Sequence, residues 1–95
     1  LPLFNLGNIS YEQGDPPAAE GYYRRALAID DTNADVMNNL ANVLHDLGRD
    51  TEAVELITRA LSEERRAEYL DTYEKIIGTP AEDDEEAPAR SVQGN

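Results

Sequence analysis

The sequence predicts an all-α fold of two helical hairpins followed by a fifth helix. The chain matches itself at an offset of 34 residues without a gap, apolar residues recur at spacings of three and four, and a glycine follows each first helix. The eight identities in this window are Asn5/Asn39, Leu6/Leu40, Asn8/Asn42, Gly14/Gly48, Ala19/Ala53, Arg25/Arg59, Ala26/Ala60 and Leu27/Leu61. So many matches in a single register indicate a true internal repeat.

The first hairpin begins with a helix whose apolar stripe is Leu3, Leu6 and Ile9. It ends at Gly14, since glycine adopts the left-handed conformation of a helix end at little cost. Asp15 can cap the second helix, and Pro16 fits the first turn, where no amide hydrogen is needed. The second helix is predicted to end near Asp30. Its apolar stripe is Ala19, Tyr22, Tyr23, Ala26, Leu27 and Ile29.

The second hairpin repeats this scheme. Its first helix carries Val36, Met37, Leu40, Val43, Leu44 and Leu47, and it ends at Gly48. Its second helix carries Ala53, Val54, Leu56, Ile57, Ala60 and Leu61.

The segment after Leu61 contains neither proline nor glycine until Gly78 and could prolong the previous helix. A straight helix would place the later apolar stripe roughly 160° from the earlier one. We therefore predict a break within residues 62–66 and a fifth helix over residues 66–77. Its apolar residues Tyr69, Leu70, Tyr73, Ile76 and Ile77 are expected to cover the second hairpin, and Glu68, Asp71, Thr72 and Lys75 are expected to face water.

Residues 79–95 change sharply in composition, with a run of acidic residues and a single large apolar side chain, Val92. Such a segment cannot offset the entropy lost on ordering, so we predict a disordered acidic tail. Because the chain opens without methionine and inside an apolar pattern, we also expect it to be a segment of a longer protein.

The composition limits the function. The 95 residues allow one small domain, and 20 acidic against 8 basic residues give a net charge of −12. This charge argues against capture of nucleic acid or of an anionic membrane, and favours a neutral or basic partner. The absence of cysteine excludes thiolate metal sites and thiol nucleophiles, and we expect a soluble, cytoplasmic protein. With one lysine against seven arginines and nine aspartates, we hypothesise a host with a salty cytoplasm.

Small residues recur where helices must approach closely: Gly7/Ala41, Ala19/Ala53 and Ala26/Ala60. Together with the 34-residue period, they make the chain similar to the tetratricopeptide repeat (TPR) family. The matching positions are Leu3, Leu6, Gly7, Ser10, Ala19, Tyr23, Ala26 and Asp31 in the first unit, and Met37, Leu40, Ala41, Leu44, Ala53, Ile57, Ala60 and Arg65 in the second. The family usually has a large aromatic residue at the start of each unit, a tyrosine in the first helix and a proline at the end. This chain has Leu3 and Met37, Ser10 and Leu44, and Asp31 and Arg65 at those positions.

The resemblance implies a right-handed α-α superhelix. We expect TPR units over residues 1–33 and 34–67, a capping helix over residues 68–78 and the tail over residues 79–95.

The resemblance also implies a non-catalytic scaffold whose first helices line a concave groove for a peptide of another protein. The expected groove residues are Phe4, Asn5, Asn8, Tyr11, Glu12, Asp35, Asn38, Asn39, Asn42, His45 and Asp46. Asparagine amides both donate and accept hydrogen bonds, so they can pair with a peptide backbone. The acidic groove residues would repel a carboxylate, so we expect no site for an acidic peptide C-terminus.

Catalysis, metal binding and cofactor binding are not expected. His45 is expected on the groove face beside Asp46 and Asn42, without a cysteine or a nearby serine to activate. The acidic run at residues 82–86 lacks the alternating ligands and glycine of a calcium loop. The alternative to peptide binding is structural: the repeats would pack against neighbouring parts of their parent protein or self-associate. A tight dimer through Leu1, Leu3 and Phe4 would support this alternative, whereas the expected state is a monomer or weak self-association.

Overall fold

The computed structural model describes residues 1–78, which form five α-helices and no strand. The helices are α1 (Leu3–Glu12), α2 (Pro16–Ile29), α3 (Ala34–Asp46), α4 (Asp50–Glu63) and α5 (Ala67–Ile77). The pairs α1/α2 and α3/α4 form two hairpins, α2 packs against α3, and α5 packs against both α3 and α4. The predicted all-α hairpin fold is confirmed. The predicted tail at residues 79–95 lies outside the described part of the chain.

The two hairpin turns have the same construction. Gly14 and Gly48 both have a φ of 79°, which a residue with a Cβ atom rarely adopts. The amide that follows each glycine donates to a carbonyl five residues earlier, at 2.9 Å in the first turn and 2.8 Å in the second. Asp15 caps α2 by accepting from the Ala18 amide at 3.2 Å, and Pro16 is the first residue of that helix. These local predictions are confirmed.

The core is centred on α3, which is covered by α2, α4 and α5. The largest fully buried side chains of the core are Tyr23, Tyr69, Met37, Leu40, Leu44, Ile57, Val36 and Val43. The small residues predicted at helix contacts are buried (Gly7, Ala19, Ala41, Ala53 and Ala60) or half-buried (Ala26). Larger side chains at these positions would separate the helices, so the repeated small residues determine the spacing of the array.

The chain breaks between α4 and α5 where the change of apolar direction predicts it. Glu64 (φ −148°, ψ 141°) and Arg66 (φ −118°, ψ 146°) are extended. The short extended segment rotates α5 so that its apolar face meets α3 and α4. The fifth helix predicted at residues 66–77 is present.

Several predicted face assignments are wrong. Leu70 and Ile77, predicted to cover the second hairpin, are 37% and 50% exposed, whereas Thr72, predicted to face water, is 6% exposed. The reason is the rotation of α5, which directs the stripe of Tyr69, Thr72 and Ile76 inward. Ile29, predicted in the apolar stripe of α2, is 79% exposed as the last residue of that helix.

A closed ring of ion pairs joins α2 to the start of α4. Arg24 contacts Glu20 at 2.8 Å and Glu52 at 3.0 Å, and Arg49 contacts the same two carboxylates at 2.9 and 2.7 Å. Burial raises the pKa of Glu20, but the hydrogen bonds from Arg24 and Arg49 outweigh burial and hold that pKa below its usual value. The ring therefore ties the second helices of the two hairpins together while Glu20 is ionised.

Candidate functional site

A hollow of about 260 Å³ lies between α1 and α3. Its lining residues come from α1 (Asn8, Tyr11, Glu12), α2 (Tyr23) and α3 (Asn39, Asn42). We call this site the α1–α3 hollow. It forms because α1 and α3 are first helices of adjacent hairpins and approach each other over the core side chains of α2. Five of its six lining residues belong to the predicted groove set.

The base of the hollow is a hydrogen-bonded cluster around Asn8. Its Oδ1 accepts from the Tyr23 hydroxyl and, at 3.1 Å, from Asn39 Nδ2. Within residues 1–78, Asn8 Nδ2 and Asn39 Oδ1 are left without a partner. The cluster therefore offers a bound molecule one amide donor and one amide acceptor.

A second contact links α1 to α3 at their C-terminal ends. The Tyr11 hydroxyl donates to Asp46. Burial, and then the hydrogen bond and charge of Asp46, raise the pKa of Tyr11 to about 12. Tyr11 therefore stays protonated around neutral pH, and its ring is held beside the hollow.

Glu12 is the exposed carboxylate of the lining, and it has no hydrogen-bond or ion-pair partner within the described residues. The negative charge of Glu12 also acts on Tyr23 at the base of the hollow. Burial raises the pKa of Tyr23, an Asn39 amide hydrogen bond opposes this, and the Glu12 carboxylate raises the pKa further. The hollow is thus negative at the end formed by Glu12.

The amide of Asn42, a lining residue on α3, is already engaged within the fold. Its Nδ2 donates to the Asn38 carbonyl at 3.1 Å and to Thr72 Oγ1 at 3.4 Å, and its Oδ1 accepts from Lys75 Nζ. Lys75 is exposed, as predicted, and its ammonium group contacts Asn42 of α3. Asn42 therefore joins α3 to α5, and its amide has little capacity left for a ligand.

Six of the eleven predicted groove residues lie outside the lining of the hollow: Phe4, Asn5, Asp35, Asn38, His45 and Asp46, which binds Tyr11. Phe4 and Asn5 are half-buried, and Phe4 packs against the core. Asn38 is 8% exposed, and within residues 1–78 its buried Oδ1 has no partner.

Two further predicted groove residues are engaged in contacts within the fold. Asp35 accepts from the Tyr69 hydroxyl at 2.6 Å, which joins α3 to α5. His45 was predicted beside Asp46 and Asn42, but its Nδ1 lies 2.8 Å from Asp50 Oδ1, at the start of α4. Neither residue lines the hollow.

Tyr23 lines the hollow although the sequence predicts it only as a core residue of α2. It is 1% exposed, and its hydroxyl is the part that reaches Asn8. A tyrosine at a core position is itself a signal, because its hydroxyl requires a polar partner when buried.

Other kinds of site are not found in the described residues. Within residues 1–78, no three His, Cys, Asp or Glu side chains are grouped so that they could hold a metal ion. In the same range, every helix is too short or too polar to span a bilayer.

Comparison with known proteins and protein families shows which family the five-helix fold of residues 1–78 belongs to. No curated protein matches the chain significantly. A family model described as Tetratricopeptide repeat matches residues 10–76, which is more than half of the 95-residue chain and includes α2 to α4 in full. Such a match indicates a protein-protein interaction or scaffold module, and the chain belongs to the tetratricopeptide repeat family.

Proposed function

We propose that this module is non-catalytic and captures a peptide segment of a partner protein in the α1–α3 hollow. The observation that carries the proposal is the pair of unused amide groups, Asn8 Nδ2 and Asn39 Oδ1. A peptide bond presents one donor and one acceptor, so these two groups match a backbone without reading its side chains.

The geometry of the hollow also favours binding. Tyr23 and Asn39 hold the Asn8 amide, and the bond from Tyr11 to Asp46 holds α1 against α3. Side chains that are already ordered lose little entropy when a ligand arrives. The chain can thus present its binding groups without first rearranging.

The proposal is tested by selecting short peptides from a displayed random library against the purified chain and measuring their affinity by fluorescence anisotropy. Asn39→Ala should weaken the selected peptides about threefold to tenfold, since it removes a hydrogen-bonding group from the site. Thr51→Ala is the matched control, because Thr51 is an exposed polar residue of α4 outside the hollow. Failure to select any peptide, or equal losses in both variants, would contradict peptide capture in the hollow.

A second candidate function is assembly, by packing against the parent protein or by self-association. Leu1 is 83% exposed before α1, and Ile77 is 50% exposed at the end of α5. Assembly through these residues predicts a concentration-dependent dimer in sedimentation velocity that Ile77→Glu dissolves. If the wild type and the Ile77→Glu variant are both monomeric at all concentrations, the result would instead favour peptide capture.

A further inference from the structure

We infer that the α1–α3 hollow recognises an arginine side chain of the captured peptide, with the guanidinium group at the Glu12 carboxylate. The inference rests on the proposed function, and it adds the chemistry of the partner. The hollow then selects peptides by charge as well as by backbone hydrogen bonding.

The charge distribution of the hollow is the first argument. None of its six lining residues is basic, and within residues 1–78 the Glu12 carboxylate has no partner. Asp46, which binds Tyr11, lies next to the same end. Since α1 and α3 end at Glu12 and Asp46, their C-terminal ends add partial negative charge there. A cation entering at this end gains attraction from four sources.

The hydrogen-bonding groups are the second argument. The Glu12 carboxylate offers two acceptor oxygens, and a guanidinium group is a planar fork of donors without an acceptor. The half-buried ring of Tyr11 adds an aromatic surface on which a guanidinium group can stack. A lysine ammonium is a more strongly hydrated point charge and cannot bind both carboxylate oxygens in the same planar geometry.

Lys75 determines where the cation can bind. Its Nζ contacts Asn42, which lines the hollow on α3, so this part of the lining already holds a positive charge. A second cation would be repelled there. The arginine is therefore directed to Glu12, and the neighbouring peptide backbone to the amides of Asn8 and Asn39.

The test uses an array of short peptides with randomised neutral residues around one central position, each synthesised in two versions. One version carries arginine at the centre, and the other carries citrulline, which has a similar shape without the charge. Fluorescently labelled chain is applied, and the affinities of the strongest pairs are measured by anisotropy. We expect the arginine version to bind about threefold to tenfold more tightly, as a charge-assisted bond to an exposed carboxylate allows.

Two variants localise the effect. Glu12→Gln should bring the ratio between the two versions to about one, because it removes the partner charge and keeps the shape. Glu55→Gln makes the same change of net charge on the exposed surface of α4 and should leave the ratio unchanged. Both side chains are exposed and have no hydrogen-bond partner in the described residues, so both variants should fold.

The possible results are distinguishable. Equal binding of the arginine and citrulline versions overturns the inference while peptide capture stands. If Glu12→Gln and Glu55→Gln lower the ratio of arginine to citrulline binding equally, the preference is a general attraction by an acidic protein and the inference is wrong. If neither version of any peptide binds, both the inference and the proposed function are wrong.

Discussion

The close approach of α1 to α2 at Gly7 leads to a sharp prediction about stability. A Cβ atom at residue 7 would lie 2.5 Å from Cε1 and 2.6 Å from Cδ1 of Tyr23, whereas carbon atoms in contact are about 3.5–4.0 Å apart. The ring would have to move by about 1 Å. It has little freedom to do so, because Tyr23 is 1% exposed and its hydroxyl is bound to Asn8.

The net effect of Gly7→Ala follows from two opposed terms. Alanine in a helix interior is favoured over glycine by about 1 kcal/mol, and overpacking a well-filled site costs about 1–3 kcal/mol. Because the contact involves ring atoms of a buried side chain, we expect overpacking to prevail, with a net loss of about 1 kcal/mol. The melting temperature should fall by roughly 4–8 °C.

Gly21→Ala is the matched control. Gly21 also lies inside a helix, but it is exposed, and a Cβ atom there would meet nothing within 4 Å. This variant should be more stable than the wild type by about 0.5–1 kcal/mol. Urea unfolding followed by circular dichroism measures both changes. A Gly7→Ala protein as stable as the wild type, or stabilised like Gly21→Ala, would refute the close-contact reasoning.

Three further predictions concern hydrogen bonding and charge. Tyr69→Phe removes the hydroxyl that joins α5 to Asp35. The free energy of unfolding measured by urea titration should fall by about 1 kcal/mol. An unchanged value would show that this hydrogen bond does not stabilise the fold. Arg24 and Arg49 lower the pKa of Glu20 in the folded state. The contribution of the Glu20 carboxylate to the stability of the fold is therefore present above its unfolded pKa near 4.5, and it is lost as the pH falls through the folded pKa. The melting temperature of Glu20→Gln should therefore fall less steeply with acidification than that of the wild type, and parallel curves would contradict the ion-pair ring. Raising KCl from about 0.1 M to about 1 M should raise the wild-type melting temperature, because it screens the excess of acidic residues, and an unchanged or lower value would remove the hypothesis of a salty host.

Much of the fold was predictable because it depends on short-range chemistry. The period of 34 residues, the glycines at both turns and the cap at Asp15 each act within a few residues of the chain. The break before α5 was also predictable, since two apolar stripes facing opposite ways cannot share one core along a straight helix.

The site was predictable only in part. The resemblance to the tetratricopeptide repeat family implies a groove face on the first helices that carries Asn8 and Asn39, and both residues line the hollow. It cannot tell which polar groups the fold will use internally. Asp35 is taken by Tyr69, and His45 by Asp50, through contacts between different helices.

The sequence by itself determined the repeat, the helix ends and the small residues at helix contacts, because these follow from backbone conformation and side-chain size. Only the tertiary structure decided the rotation of α5, which buries Thr72, exposes Leu70 and brings Lys75 to Asn42. The physical reason is that a helix settles at the angle where its side chains fit those of two neighbours. That fit also decides which amides and carboxylates stay unpaired, and thus what the hollow can bind.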